Sequence, residues 1–182
     1  MKYEVEQKFR VDEHESIAQQ LEQWGAAFGG VDEQIDRYFA HPQRDFAASD
    51  EALRIRRVGF DCCITYKGPK IDSTTKTRRE IELPLPAGRD TGEQFTELLE
   101  ALGFRRVAEV CKRRRKATIA RHGARVEVAL DNVAGVGKFV ELELPAQPDE
   151  LETAKRQVAQ LAAELGLSQS ERRSYLELLL ES

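Results

Sequence analysis

Glu4, Glu6 and Lys8 stand two residues apart near the start of the chain. The same spacing returns in Arg54 and Arg56, Glu80 and Glu82, Lys112, Arg114 and Lys116, and Glu141 and Glu143, and twice that spacing, across Ala129, separates Glu127 and Asp131. Side chains two apart in a strand share a face at a separation of about 6.6 Å. Each set therefore puts charge on one face, while residues such as Val5 and Phe9, Leu53 and Ile55, Val126 and Val128, and Val140 and Leu142 occupy the other. Antiparallel sheets commonly keep one wet face, but such a face mixes Thr, Ser, Lys and Gln. Here the polar positions are heavily acidic on some strands and basic on others. If the sheet curls, its polar side lines a cavity. Arginine forks and lysine point charges suit the oxygens of a triphosphate. Carboxylates in the same cavity repel those oxygens unless they hold hard divalent cations, which prefer oxygen ligands. The two signs together point to a metal-complexed triphosphate.

The run Lys112 to Lys116 divides by the same parity, with Arg113 and Arg115 facing away from the other three. It carries no interleaved aromatic platforms for stacking bases, and an inward basic face cannot reach a duplex. Lys67 precedes a polar stretch, Gly68 to Thr77, that reads as a surface loop, so it is a candidate mobile phosphate contact. Tyr38 and Tyr175 read as core or rim positions.

The elements that must present these residues follow from periodicity. Strands are predicted at Tyr3–Val11, Gln34–Phe39, Ala52–Val58, Asp61–Lys67, Arg79–Leu85, Ala124–Leu130 and Lys138–Pro145, with one or two more between Arg106 and Arg121. Helices are predicted at Glu13–Gly25, Thr91–Leu102, Glu150–Leu165 and Ser170–Leu179, and a turn at Asp131–Gly137. About eight strands with intervening helices fit a barrel or closed sheet better than a parallel α/β sheet. An echo occurs three times: a strand (YEVEQKFRV, REIELPLP, FVELELP), then an amphipathic helix, then a closing Trp-Gly or Leu-Gly.

The totals set the frame. A chain of 182 residues, 41% hydrophobic and 33% charged, is expected to form one soluble globular domain over residues 1–182. No stretch has the apolar length of a membrane span. The first residues carry no secretory pattern, so the cytoplasm is the expected compartment. A net charge of -4 gives no support to a DNA-wrapping surface. Three cysteines, two of them adjacent, and three scattered histidines form neither a disulfide framework nor a thiolate metal site, so buried thiols are expected.

An ordered series of motifs resembles the CYTH superfamily, the triphosphate tunnel metalloenzymes. It comprises Glu4-Val5-Glu6-Gln7-Lys8, Asp36-Arg37-Tyr38-Phe39, LRIRR at 53–57, TYKGP at 65–69, REIE at 79–82, KRR at 112–114, Leu130-Asp131-Asn132-Val133 with Gly135 and Gly137, and VELE at 140–143. The resemblance implies a mainly β (α+β) fold: an eight-stranded antiparallel β-barrel forming a charged tunnel, with helices packed outside. It implies Mg2+ or Mn2+ as cofactor. Metal binding falls to Glu4, Glu6, Glu141 and Glu143, followed by Glu80, Glu82, Glu127 and Asp131. Phosphate binding falls to Lys8, Arg54, Arg56, Lys67, Lys112, Arg114 and Lys116, and the candidate catalytic residues are Glu6, Lys8, Tyr38 and Lys67. Members include triphosphatases and class IV adenylyl cyclases. Some of those cyclases carry a His-Phe pair before the first glutamate where this chain has Met1-Lys2-Tyr3, which favours hydrolysis. Conversion of ATP to cyclic AMP and pyrophosphate stays open, as does a polyphosphate- or nucleotide-binding module without turnover. The expected partner is a small-molecule triphosphate, with no duplex nucleic acid and no membrane. A homodimer fits the resemblance.

Overall fold

The computed structural model describes residues 3–70 and 78–182. The strands are β1 (Tyr3–Val11), β2 (Ala27–Ala40), β3 (Ala52–Val58), β4 (Asp61–Lys70), β5 (Arg78–Pro84), β6 (Arg105–Arg121), β7 (Ala124–Val133) and β8 (Gly137–Ala146). The helices are α1 (Glu15–Gln23), α2 (Thr91–Ala101), α3 (Leu151–Glu164) and α4 (Tyr175–Leu180). All eight strands pair antiparallel around a closed barrel in the order β1-β5-β4-β3-β2-β6-β7-β8. The mainly β barrel expected from the motif series is the fold observed.

Closure explains the two-faced strands. Val140, Leu142 and Leu144 of β8 and Val126 and Val128 of β7 turn outward and bury under α1 and α3, joined by Leu21, Val158 and Leu161. A smaller cluster sets Leu99 of α2 against Phe39 and Ile55. With the outer face of β7 and β8 dry, the alternate positions of these strands line the interior. At one end of the interior Val110, Val133 and Phe139 pack with Tyr175 and Leu178, so α4 lies at the barrel rim with Tyr175 reaching inside to Asp131.

Several boundaries differ from expectation. Strand β2 begins seven residues before Gln34, because the irregular stretch with Gly29 and Gly30 still pairs with the long β6 across a register shift between Phe28 and Val31. Between Arg106 and Arg121 lies one continuous strand. Strand β4 runs to Lys70, into the stretch read as loop, and residues 71–77 of that loop lie outside the described residues. Strand β7 continues through Asp131 to Val133, so the turn is shorter. The last helix starts at Tyr175 rather than Ser170. Ser170 bridges to Phe9, the Glu171 amide donates to the Lys8 carbonyl, and a Ser174–Glu177 capping box sets the first turn. Of the thiols, Cys62 alone is buried. Cys63 is half-buried, and Cys111, on the outward parity of β6, is exposed.

The threefold echo has a structural basis. The helices α1, α2 and α3 end on Gly25, Gly103 and Gly166, with φ of 90°, 91° and 72°. In each, the glycine amide and the next one bond back to the last turn: Gly25 to Glu22 and Ala26 to Leu21, Gly103 to Glu100 and Phe104 to Leu99, Gly166 to Ala163 and Leu167 to Ala162. These are Schellman ends, which need a left-handed residue. Gly25→Ala should destabilise by about 1 kcal/mol. Gly103→Ala should cost more, because the added carbon meets Pro42 at 3.4 Å while nothing lies within 4 Å at Gly25. Paired urea denaturation curves check that order.

Candidate functional site

The barrel interior encloses a cavity of about 1080 Å³. Its walls carry Glu4 and Glu6 of β1, Tyr38 of β2, Arg54 and Arg56 of β3, Lys67 of β4 and Glu80 and Glu82 of β5. Lys112, Arg114 and Lys116 of β6, Glu127 of β7 and Glu141 and Glu143 of β8 complete the set. Strand parity thus brings together residues drawn from every strand.

Two expected residues stand apart from the cavity wall. Lys8 is 1% exposed; its Nζ donates to the Arg173 carbonyl at 2.5 Å and lies 4.0 Å from the Tyr175 ring centroid. Asp131 is fully buried and accepts from Arg114 Nε at 2.7 Å, Arg114 Nη2 at 2.5 Å and the Tyr175 hydroxyl at 2.8 Å. Both face the rim occupied by α4.

The cations are oriented by buried carboxylates. Arg114 is held in a fork by Asp131, also donates to Glu141, and reaches Glu143 at 3.5 Å. On the β2–β3 side, Asp36 takes a bidentate fork from Arg56, with both bonds at 2.6 Å, and a bond from Arg54 at 3.2 Å; Lys112 Nζ is 3.9 Å away. Burial opposes ionisation of Asp36, but Arg54, Arg56 and Lys112 hold its carboxyl far below the usual carboxylate range. Lys67 pairs with Glu80 at 2.5 Å, and Thr65 donates to Glu82 at 3.1 Å. Lys116 pairs with Glu127 at 2.5 Å.

The carboxylate wall is short of positive charge. Burial raises Glu4 to about 7, aided by Glu80, Glu6 and Glu141 against Lys67. Burial likewise raises Glu143 to about 8, with Glu141, Glu4 and Glu6 adding to it and Arg114 opposing. Such a set of hard oxygen donors fits a divalent cation. Among the described residues no three carboxylate, imidazole or thiol groups converge closely enough to cage one unaided.

Lys112 is pulled the other way. Burial, with Arg114 and Arg56 nearby, lowers it to about 7 against the attraction of Asp131 and Asp36, and the Tyr175 ring covers it at 5.1 Å. Its charged form therefore opposes folding fully below about pH 7, and the opposition fades as pH rises into the ordinary lysine range. A phosphate chain beside it should restore the proton. Anion binding at pH 8 is expected to take up protons and to weaken as pH rises, and Lys112→Arg should reduce the uptake, leaving the share of Glu143 and Glu4. Calorimetry in buffers of different ionisation enthalpy measures it.

Sequence reading missed Asp36 as the hub of three cations, Arg78 as a cavity-lining guanidinium and Tyr175 as the link between α4 and Asp131. Arg78 was legible, since it shares parity with Glu80 and Glu82. The other two depend on strand pairing and chain return. No helix among the described residues is long and apolar enough to cross a membrane.

The model for the CYTH domain matches residues 2–175. A Methanocaldococcus jannaschii protein named as a candidate adenylate cyclase, MJ0240, is 35% identical over 178 residues, covering 96% of this chain and 97% of its own. The structure of PH1819 from Pyrococcus horikoshii is 40% identical, covers 98% of each chain and superposes with a TM-score of 0.85. PH1012 from the same organism is 29% identical over 97% of this chain and 99% of its own, with a TM-score of 0.76. With motifs, closed barrel and two-signed cavity in agreement, the chain belongs to the CYTH family of triphosphate tunnel metalloenzymes, whose general chemistry is metal-dependent and acts on triphosphates.

Proposed function

We propose that this protein hydrolyses a triphosphate in the barrel cavity, with inorganic tripolyphosphate or an organic triphosphate as substrate. The observation that carries this reading is one cavity lined both by the cations Arg54, Arg56, Lys112 and Arg114 and by the carboxylates Glu4, Glu6, Glu141 and Glu143, with Arg114 joining the two sets through Glu141 and Glu143. Arg54, Arg56, Lys112, Arg114 and Lys116 bind phosphate oxygens, and Asp36 and Asp131 fix the guanidinium planes. Asp131 thus acts as an orienting residue rather than a metal ligand. Lys8, drawn to the Arg173 carbonyl, secures the C-terminal segment beneath the site instead of contacting phosphate.

Mg2+ or Mn2+, held by Glu4, Glu6, Glu141 and Glu143, would supply phosphate neutralisation and polarisation of the terminal phosphoryl group. Glu80, Glu82 and Glu127 each engage a neighbour, namely Lys67, Thr65 and Lys116, and tune those groups. Water attacks the terminal phosphorus, the bridging P–O bond breaks, the cavity carboxylates take the water's proton, and Lys67 and Tyr38 steady the departing diphosphate.

Cyclisation of ATP is the second reading. It is favoured by the MJ0240 likeness and by an apolar side of the cavity mouth, where Phe46, Val107, Leu176 and Leu180 could seat a nucleobase. Phosphorus NMR after incubation with tripolyphosphate or ATP and Mg2+ or Mn2+ separates the readings. Orthophosphate with pyrophosphate from tripolyphosphate supports hydrolysis. Cyclic AMP with pyrophosphate from ATP replaces it with cyclisation, and binding without products leaves a capture module.

A further inference from the structure

Arg78 enters none of the roles assigned above, yet it lines the cavity at 5% exposure. A guanidinium carries five donors and stays charged at any working pH. Arg56 and Arg114 spend theirs on bidentate carboxylates. Arg78 does not: its Nε is buried with no acceptor among the described residues. Its Nη1 reaches the Asp50 carbonyl only at 3.5 Å. Asp50 itself stands in the left-handed region, φ 56°, a conformation that non-glycine residues adopt sparingly. A buried charged donor left unmet is destabilising unless an anion completes it.

Its position in the barrel says which anion. In the closed order, β5 lies four strands from β6 in either direction, so Arg78 faces the wall carrying Lys112 and Arg114 from across the barrel. It sits at the β1–β5 seam opposite Glu4, toward the end of the cavity bounded by Asp50. An anion gripped by Lys112 and Arg114 must extend across the lumen to meet it. We infer that Arg78 reads the length of the phosphate chain, meeting the third phosphate of a substrate whose first two are held from the β6 wall. The inference rests on the cavity being a triphosphate site. It makes Arg78 a determinant of triphosphate-over-diphosphate selection.

The test is calorimetric binding of inorganic tripolyphosphate and of pyrophosphate in EDTA, where no turnover intervenes, to the parent chain, Arg78→Ala and Arg78→Lys. The parent should prefer tripolyphosphate. Arg78→Ala should weaken tripolyphosphate about ten- to a hundredfold and leave pyrophosphate within about twofold. Arg78→Lys, which keeps the charge but loses the fork, should fall between and guards against a folding defect in the alanine variant. Unchanged tripolyphosphate affinity, or equal weakening of both anions, overturns the inference and leaves the site intact. Failure of the parent to bind tripolyphosphate, in EDTA or with Mg2+, overturns instead the reading of the cavity on which it stands.

Discussion

Asp36→Ala is expected to destabilise the protein by about 3–5 kcal/mol, the loss typical of removing one partner of a buried ion pair. Asp36 is 1% exposed and compensates Arg54 and Arg56, with Lys112 close by. Without it Arg54 and Arg56 lose their buried counter-ion, and Lys112 keeps Asp131 at 3.8 Å. The pH dependence has a definite sign. Because the folded carboxyl is held below its ordinary range, its contribution is present above that range and is lost only as pH falls through the depressed folded value. The part of the stability gap that comes from the carboxyl's own ionisation should persist above about pH 5 and shrink in strong acid. Urea denaturation at several pH values measures it. A gap under about 1 kcal/mol would mean that the cluster is solvated enough to do without its anion.

Arg114→Lys is expected to lower turnover of tripolyphosphate by about a hundredfold, comparable to losing a transition-state donor in other phosphoryl or acyl sites. Arg114 is held by Asp131 and Glu141 with Glu143 near, so its plane is fixed before substrate arrives. Lysine keeps the charge but cannot make a fork to Asp131 and to a phosphate at once. The melting temperature should change little beside the kinetic loss, since a cation still meets the buried carboxylates. Steady-state kinetics with Mg2+ decide it. Turnover within about threefold of the parent would remove Arg114 from the phosphate-binding side.

The inward-facing charges were legible because parity is a property of one strand. Once Val140, Leu142 and Leu144 are placed on the core side, Glu141 and Glu143 have nowhere else to point. The strand count suggested a barrel or closed sheet and the ordered motif series sharpened it, but closure depends on which strands pair, and among the described residues β1 meets β5 through Tyr3↔Arg79 and Glu4↔Arg78. Lys8 shows the limit of parity. It points inward as expected, but its ammonium is captured by a carbonyl 165 residues later in the chain, a contact no local pattern encodes. Asp131 is similar: its place in the acidic series suggested a metal ligand, whereas a phenol and a guanidinium arriving from α4 and β6 occupy its oxygens. The long β2 was underestimated because Gly29 and Gly30 interrupt the alternation at a register shift, beyond which Ala27 and Phe28 still pair with β6.

In the proposed site the carboxylates of β1 and β8 hold metal, and the cations of β3 and β6, Arg114 among them at the carboxylates' edge, hold phosphate. The most direct measurement is anomalous difference density from a crystal grown with Mn2+ and an imido analogue of tripolyphosphate. The account predicts a manganese peak at the carboxylate wall formed by Glu4, Glu6, Glu141 and Glu143, with the phosphate chain lying between it and Lys112 and Arg114. Manganese confined to the outer surface, or an analogue seated away from Lys112 and Arg114, would contradict it.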